Sequence, residues 1–493
     1  MTEVVGSPAA SVTIGRRDAD VRPHTLSASG VVFLTAVAIA WTAVVGTLAV
    51  ARHNAFLSHR FDLGNMVQAV WSTSQGRLLE TTDGHTGEQI VRLAGHVDPI
   101  LVLFVPLWWI HGGPEALIVG QAAALAAGSY PVVRLALKYT ESPLCAALLG
   151  AWYLAYPWVV WNAFNDVHPV TLAIPCLLYA IWFLDEHRLG SFAMAALLAL
   201  STGELIGLTI AALGVWYAVR YGRRRAGLVI AIGGAAWTTI CLAVVIPVLN
   251  DGQSSRFYPL FESTGGSPTG LVETLITDPG AVAAQVLTRG DGLYVVLLLI
   301  PTALLALGQP LLLATALPQL GVNALSELGS TTEPTYQYVA AIVPALIAAS
   351  IMTVGRFHGR LRLVVAALPL VAAGMCLAAQ PPVPGKQEFV YGPTESGARR
   401  SAMRAAVQLV PEDAPVTSTN RLGGHLSARR MLFSFPERAR ARWVVLDLRD
   451  AWLVDGYRAD EHRFRQLVSQ LDRDERWQLV YKRQDIRAYR KTS

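Results

Sequence analysis

Long apolar runs alternate with short arginine-rich loops along most of this chain. Each run approaches the roughly 20 residues that an α-helix needs to cross the hydrocarbon core of a bilayer. The pattern therefore predicts a mainly α-helical, polytopic membrane domain at 29–379, with about 11 crossings plus one re-entrant segment. The runs assigned to single crossings are 30–50, 114–135, 143–161, 170–184, 227–249, 292–307, 310–324, 336–354 and 363–379.

Two apolar segments do not fit a single crossing. The segment 99–110 is too short, so we expect it to enter the membrane and return to the outer face. The segment 191–219 carries polar residues at its midpoint and would be about 43 Å long as one helix. We favour a hairpin of two short helices, because it keeps Arg220 and 223–225 cytoplasmic and places Glu204 near the outer face.

Composition supports a membrane protein and argues against a soluble one. The 493 residues are 53% hydrophobic and only 15% charged, whereas soluble domains carry about 25% charged residues. The net charge of +5 comes largely from arginines in short loops, as the positive-inside rule expects, so we predict no nucleic-acid partner. The four cysteines lie in apolar segments without metal-binding spacing and are interpreted as core residues.

Polar segments flank and interrupt the membrane domain. Residues 1–28 are interpreted as a disordered cytoplasmic tail and 51–99 as the first outer loop, in which 56–71 has the spacing of an interfacial helix. The segment 380–399 is a predicted linker, and 400–493 is predicted to form a small extracytoplasmic α/β domain on a plasma-membrane protein. The elements predicted in that domain are strands at 414–418 and 442–448, a helix at 460–472, and a hairpin formed by 477–481 and 486–489.

Acidic, histidine and tyrosine side chains converge on one membrane face in this topology. The positive-inside rule was used to orient the crossings, but it does not itself bring these side chains together. A substrate site at the outer face is therefore expected. The residues concerned are Asp62, His96, Asp166, His168, Glu204 and Tyr338.

Asp62 is the first candidate for chemistry. A carboxylate at the outer face can act as a general base for an acceptor hydroxyl, or it can bind a divalent cation. The structural alternative is a helix N-cap, because Asp62 precedes Leu-Gly-Asn and could satisfy free amides there. The two roles are compatible.

The other candidates also have structural alternatives. Asp166 and His168 flank a turn before a proline and could bind a metal or a phosphate, or simply form an Asx turn. Glu204 lies in an apolar stretch, where placing a carboxylate costs free energy, so its presence suggests a function. The structural alternative is a turn residue whose carboxyl group is hydrogen-bonded. Arg77 could take a phosphate, but most such arginines are only solvated.

Several short motifs occur together along the chain. They are Phe61-Asp62-Leu63-Gly64, Ala69-Val70-Trp71, Gly76-Arg77, His96 with Pro99, Asn162-x-Phe164-x-Asp166-x-His168-Pro169, Glu204 and Tyr336-x-Tyr338. Together these motifs resemble the domain of unknown function 2079 family of polytopic membrane proteins, and the resemblance covers roughly residues 30–450. That family is similar in turn to the GT-C membrane glycosyltransferases, which have an acid in the first outer loop, many spans and a soluble outer C-terminal domain.

The resemblance implies transfer of a sugar from a polyprenyl-phosphate donor to an envelope glycan or protein. Asp62 and Glu204 would then be catalytic, and a divalent cation (Mg²⁺ or Mn²⁺) would have Asp62, Asp166 and His168 as candidate ligands. Two other functions stay open, namely a transporter or flippase of a lipid-linked substrate and a non-catalytic envelope scaffold. The residues expected to bind substrate are Arg77, His96, Asp166, His168 and Tyr338.

Overall fold

The computed structural model describes residues 26–84, 86–288, 291–379, 395–451 and 460–492. Most of the predicted N-terminal tail and most of the predicted linker lie outside these ranges. The described chain forms a multi-pass helical membrane domain, a small loop sheet and a C-terminal α/β domain, as the hydropathy pattern predicts.

The membrane domain contains helices of very different length. Its α-helices, in chain order, are α1 Ala28–Asn54, α2 Asn65–Ser74, α3 Val105–Ile110, α4 Pro114–Ala127, α5 Ser129–Thr140, α6 Pro143–Leu154, α7 Pro157–Phe164, α8 Ala173–Asp185, α9 Leu189–Leu200, α10 Ile206–Tyr221, α11 Arg224–Ile240, α12 Ile246–Leu249, α13 Pro268–Thr277, α14 Pro279–Thr288, α15 Asp291–Leu299, α16 Pro310–Leu313, α17 Leu317–Leu325, α18 Val343–Val354 and α19 Gly359–Ala379. Helices α13 and α14 lie between the crossings predicted at 227–249 and 292–307.

Four helices are long and apolar enough to cross a membrane by themselves in the described part of the chain. A fifth crossing forms if α6 and α7, which meet at a bend of 40°, count as one span. The remaining apolar helices are shorter, and α18 is buried along its whole length. The four long helices are Ala28–Asn54 (α1), Pro114–Thr140 (α4 continued by α5), Arg224–Leu249 (α11 continued by α12) and Gly359–Ala379 (α19).

The segment predicted as a hairpin is indeed interrupted. Helices α9 and α10 are separated by the turn 201–205, which contains Glu204. The hydroxyl of Tyr217, near the end of α10, lies 3.0 Å from Nδ1 of His187, just before α9 begins. The start of α9 and the end of α10 are therefore neighbours, which is the geometry of a hairpin rather than of one long helix.

Helices α10 and α11 approach closely at glycines. A Cβ on Gly207 would lie 2.3 Å from the carbonyl oxygen of Gly234, and one on Gly214 would lie 2.5 Å from the amide nitrogen of Ala231. Only glycine permits this separation, as is common where membrane helices pack without a hydrophobic driving force. The contact fixes the start of α10, and with it the turn that carries Glu204.

The C-terminal domain has a five-stranded mixed sheet. Its parallel strands are β3 (Val416–Ser418), β4 (Leu432–Ser434) and β5 (Trp443–Asp447). Strand β5 also pairs antiparallel with β7 (Ile486–Lys491), which pairs antiparallel with β6 (Trp477–Arg483), so the order across the sheet is β4-β3-β5-β7-β6. The strands predicted near 414–418 and 442–448, the helix and the hairpin are all present, with a turn at Gln484 and Asp485 in which both φ angles are positive. The elements, after the loop strands β1 Glu80–Thr82 and β2 Gln89–Val91, are α20 Gly397–Gln408, β3 Val416–Ser418, α21 Asn420–Gly424, β4 Leu432–Ser434, β5 Trp443–Asp447, α22 Glu461–Arg473, β6 Trp477–Arg483 and β7 Ile486–Lys491.

Candidate active site at the first outer loop

The first outer loop lies between the membrane helices and the C-terminal domain. The buried guanidinium of Arg60 donates through Nη2 to the carbonyl of Leu432 at 2.7 Å and to that of Thr82 at 3.2 Å. The Phe61 amide donates to Oδ1 of Asn420 at 3.2 Å. The C-terminal domain therefore holds the loop directly on either side of Arg60.

Asp62 lies in a wide helical turn, Arg60–Gly64, which closes with a hydrogen bond from the Gly64 amide to the His59 carbonyl. A Cβ on Gly64 would lie 2.6 Å from Oγ of Ser427, so the C-terminal domain packs tightly against this turn. The Asp62 side chain is 42% exposed, and its Oδ1 lies 3.2 Å from Nε2 of His168. The helix-cap alternative is not observed, because His59 and Gly64 occupy the N-cap positions here.

Asp166 is the buried carboxylate of this site. Its Oδ1 accepts a hydrogen bond from Nη1 of Arg52 at 2.6 Å, and its Oδ2 accepts from the His59 amide at 2.8 Å, with His59 Nδ1 at 3.2 Å. Burial acts to raise the pKa of Asp166, but Arg52 and His59 outweigh it and hold the pKa below its ordinary value. The contacts with Arg52 and His59 therefore favour the charged form of Asp166.

His168 lies between the Asp62 carboxylate and the backbone of Asp166. Its Nδ1 lies 3.1 Å from the carbonyl oxygen of Asp166, and its Nε2 lies 3.2 Å from Asp62. Its amide is fixed by Oε1 of Gln121 at 3.0 Å. Both ring nitrogens of His168 therefore face oxygen atoms, one from the backbone of Asp166 and one from the side chain of Asp62.

Three ligand atoms in this cluster could hold a metal ion. One atom each from His59, Asp62 and Asp166 lies within 4.8 Å of the other two. This set differs from the predicted ligands in one member, since His59 takes the place of His168. The metal-binding role of each residue stays a prediction.

Glu204 and His96 form a second pair. Oε1 of Glu204 lies 3.2 Å from Nδ1 of His96, and Oε2 accepts from the Val97 amide at 3.0 Å. The hydroxyl of Thr238 on α11 donates to the Glu204 carbonyl at 2.8 Å. The ring of His96 stacks on Phe257 at 4.4 Å. Within the described chain, no ion pair or hydrogen bond joins this pair to Asp62.

The two remaining predicted residues lie outside both pairs. Arg77 forms an ion pair with Glu80 at 3.2 Å and lies over the ring of Trp71. The carbonyl of Tyr338 accepts from Asn323, and its ring lies 6.4 Å from that of Tyr336. Their proposed contact with substrate stays a prediction.

Sequence reasoning missed two residues of the site, Arg52 and His59. Arg52 is a charged residue in the last turn of α1, which hydropathy reads as ordinary helix-flanking charge. His59 precedes Asp62 by three residues, a spacing that places both on one side of a helical turn. That spacing was the available signal, and it identifies His59 once the turn at 60–64 is assumed to be helical.

Comparison with known proteins gives two findings. The family model described as "Predicted membrane protein (DUF2079)" matches residues 52–487. Among curated proteins, none matches this chain.

Solved structures that are similar to the chain include two of ArnT. ArnT from Cupriavidus metallidurans bound to undecaprenyl phosphate has a TM-score of 0.54 at 12% identity, covering 94% of this chain and 98% of that one. ArnT from the same organism in the apo state has a TM-score of 0.49 at 11% identity, covering 92% and 98%. The first likeness shows that the chain shares the GT-C fold of ArnT.

Proposed function

We propose a function from the premise that this chain belongs to the DUF2079 family of predicted membrane proteins and has an ArnT-like GT-C fold. The protein transfers a sugar from a polyprenyl-phosphate donor to a cell-envelope acceptor at the outer membrane face. The observation that carries the proposal is the half-exposed Asp62, paired with His168 beneath the C-terminal domain. The undecaprenyl phosphate bound to ArnT supports a polyprenyl-phosphate donor.

Asp62 acts as the general base in the proposed reaction. It takes the proton of an acceptor hydroxyl, whose oxygen forms a bond to the anomeric carbon of the sugar. The bond between that carbon and the donor phosphate breaks, and polyprenyl phosphate leaves with the bonding electrons. His168 is a positioning residue, because its hydrogen bond to Oδ1 of Asp62 orients the carboxylate while leaving Oδ2 available.

A divalent cation fits the same cluster. His59, Asp62 and Asp166 would hold it, and the mixture of one imidazole and two carboxylates suits Mn²⁺ better than Mg²⁺, which prefers oxygen ligands. When bound, the cation would neutralise phosphate charge. Oδ1 of Asp166 already pairs with Arg52, so that carboxylate would offer only its Oδ2.

Glu204 has a different role in the proposal. Both of its carboxylate oxygens have partners in the adjoining loop, which favours a positioning residue that fixes this loop over a group that exchanges protons with substrate. Arg77, His96 and Tyr338 stay predicted contacts of the substrate. The proposed orientation places the N-terminus in the cytoplasm and the C-terminal domain outside the cell.

The test measures transfer of radiolabelled sugar from polyprenyl-phosphate donors to membrane acceptors. The purified full-length protein is compared with Asp62→Asn and with Glu88→Gln, which removes an exposed carboxylate from the same loop. We expect Asp62→Asn to abolish measurable transfer and Glu88→Gln to leave it unchanged.

The alternatives predict different outcomes. Transfer that survives in Asp62→Asn at the wild-type level would reject the assignment of Asp62 as base. A wild-type protein that moves a lipid-linked substrate across vesicles without forming a new glycosidic bond would be a transporter or flippase. A protein that does neither, with each donor class supplied, would fit the scaffold alternative.

A further inference from the structure

A second cavity in the described part of the chain lies outside the candidate active site. Its volume is about 440 Å³, and it lies between the outer end of α1 and the helix α20 of the C-terminal domain. That volume is within the range of small-molecule sites, roughly 300–1,000 Å³. The residues that line it and bear on its chemistry are Ala51, Asn54, Gly397, Arg400, Ser401 and Arg404.

The cavity is basic. Arg400 and Arg404 are one helical turn apart on α20, so their side chains share a face. Their neighbour Arg399 is buried and pairs with Glu395 and Asp447. Among the residues that the structure describes, no carboxylate pairs with Arg400 or Arg404. Two guanidinium groups are thus left facing a concave space that also offers the Ser401 hydroxyl and the Asn54 amide.

The cavity also continues a lipid-facing stripe of α1. Val44 is 61% exposed and Leu48 is 47% exposed, as expected for side chains that contact acyl chains. Ala51 follows Leu48 by three residues and Ala55 follows it by seven, so all of them share one helix face. This apolar stripe leads directly into the basic cavity, and a ligand that fills both must have acyl chains and an anionic head.

We infer that the cavity is a binding site for the phosphate headgroup of an anionic lipid. Arg400 and Arg404 bind the phosphate, since guanidinium groups match its geometry, and the acyl chains lie along Val44 and Leu48. The opposite face of the same helix end carries Arg52 and His53, both buried. A lipid bound here therefore ties the C-terminal domain to the helix end that holds Asp166. The site is separate from the proposed donor site and does not depend on transfer activity.

The test uses the full-length protein purified in detergent, with phosphatidylglycerol or phosphatidylcholine added. Native mass spectrometry counts bound lipids, and thermal unfolding reports stabilisation by the bound state. The variant is Arg400→Gln/Arg404→Gln, and the matched control is Arg473→Gln/Arg483→Gln, which removes two exposed arginines elsewhere in the same domain. Arg400→Lys/Arg404→Lys keeps the charge and checks that the domain still folds.

We expect phosphatidylglycerol, but not phosphatidylcholine, to bind and to raise the unfolding temperature of the wild type and the control. The glutamine variant should bind it roughly 30-fold more weakly, the loss expected for two basic residues near an anionic surface, and the lysine variant should retain most of the binding. Equal binding of phosphatidylglycerol by the glutamine variant and by the control would show that Arg400 and Arg404 do not form a lipid site. A thermal shift that soluble glycerol phosphate reproduces at the same concentration would overturn the lipid as the source of the phosphate.

Discussion

Two acid–histidine pairs in this protein look alike in sequence but differ in structure. Asp62 is 42% exposed on its side chain, whereas Glu204 is 13% exposed. Oδ1 of Asp62 contacts His168 and its Oδ2 lies 4.0 Å from His59, beyond hydrogen-bonding distance. Glu204 uses both oxygens, one on His96 and one on the Val97 amide.

The difference shows that a carboxylate in an apolar segment, where its charge is unfavourable, is not for that reason a reactive group. In an apolar stretch a carboxylate such as Glu204 is the larger anomaly, yet its hydrogen bonds offset the cost and hold a turn in place. Asp62 is unremarkable in hydropathy, but its side chain is 42% exposed beside His168. We call these the open pair (Asp62 and His168) and the closed pair (Glu204 and His96).

The largest expected difference is catalytic. Asp62→Asn should lower sugar transfer about 10²–10⁴-fold, the usual contribution of a general acid or base. Glu204→Gln retains an oxygen for the Val97 amide and should lower transfer less than about tenfold. Single-turnover transfer with equal amounts of folded protein measures both. Equal losses would show that the open and closed pairs act as one unit.

The next difference concerns the free energy of unfolding. Asp166→Asn removes the negative charge that the buried guanidinium of Arg52 contacts at 2.6 Å, which should cost about 3–5 kcal/mol. Asp62→Asn changes a half-exposed pair and should cost less than about 1 kcal/mol. Thermal and denaturant unfolding in detergent compare the two variants. Similar free energies of unfolding for the two variants would mean that the ion pair between Arg52 and Asp166 does not stabilise the site.

A smaller effect, on the pH dependence of the free energy of unfolding, is expected from Asp450 of the C-terminal domain. Asp450 lies close enough to His59, near the open pair, for their charges to interact. Burial raises the pKa of Asp450 to about 6 from its ordinary value of 3.8. The folded state therefore binds the proton of the Asp450 carboxyl group more tightly than the unfolded state does. As pH rises from about 4 to above 6, loss of this proton lowers the free energy of unfolding by up to about 3 kcal/mol.

Asp450→Asn should remove that loss, because an amide oxygen can still accept from the Arg421 amide. The stability of Asp450→Asn relative to wild type should increase between pH 4 and pH 7, while the exposed Asp413→Asn should follow the wild type. Parallel curves for wild type and Asp450→Asn would contradict the raised pKa.

The smallest effect concerns metal binding. His59→Ala removes one of the three candidate ligands, the others being Asp62 of the open pair and Asp166, and the affinity for Mn²⁺ should fall about tenfold. His96→Ala changes the closed pair and should leave that affinity unaltered. Titration of the purified protein with Mn²⁺, followed by electron paramagnetic resonance, measures both. Tight binding that survives in His59→Ala would place the ion elsewhere.

Much of the fold follows from local sequence. The apolar run at 30–50 becomes the helix Ala28–Asn54, and the polar interruption at 201–205 becomes the turn between α9 and α10. The hairpin Trp477–Arg483 and Ile486–Lys491 also appears at the predicted position, 477–481 paired with 486–489, and its strands are longer than predicted. Periodicity and turn chemistry act over a few residues, so sequence alone can detect them.

The elements that sequence reasoning missed depend on distant contacts. Strand Leu432–Ser434 has three residues, too few to show alternation, and it exists because β3 pairs with it. The helix Gly397–Gln408 falls partly within the predicted linker. The convergence of Asp62, Asp166 and His168 was expected from topology, but the role of His59 required the actual turn at 60–64.

The hydrogen bond from Arg60 to Leu432 joins positions 372 residues apart. In the proposed orientation, the ribosome completes every membrane span before the C-terminal domain is synthesised and exported. A nascent chain halted at that stage would display Asp62 on a loop lacking its outer support. Export of the last domain would then complete the active site, so assembly itself delays sugar transfer until biogenesis is finished.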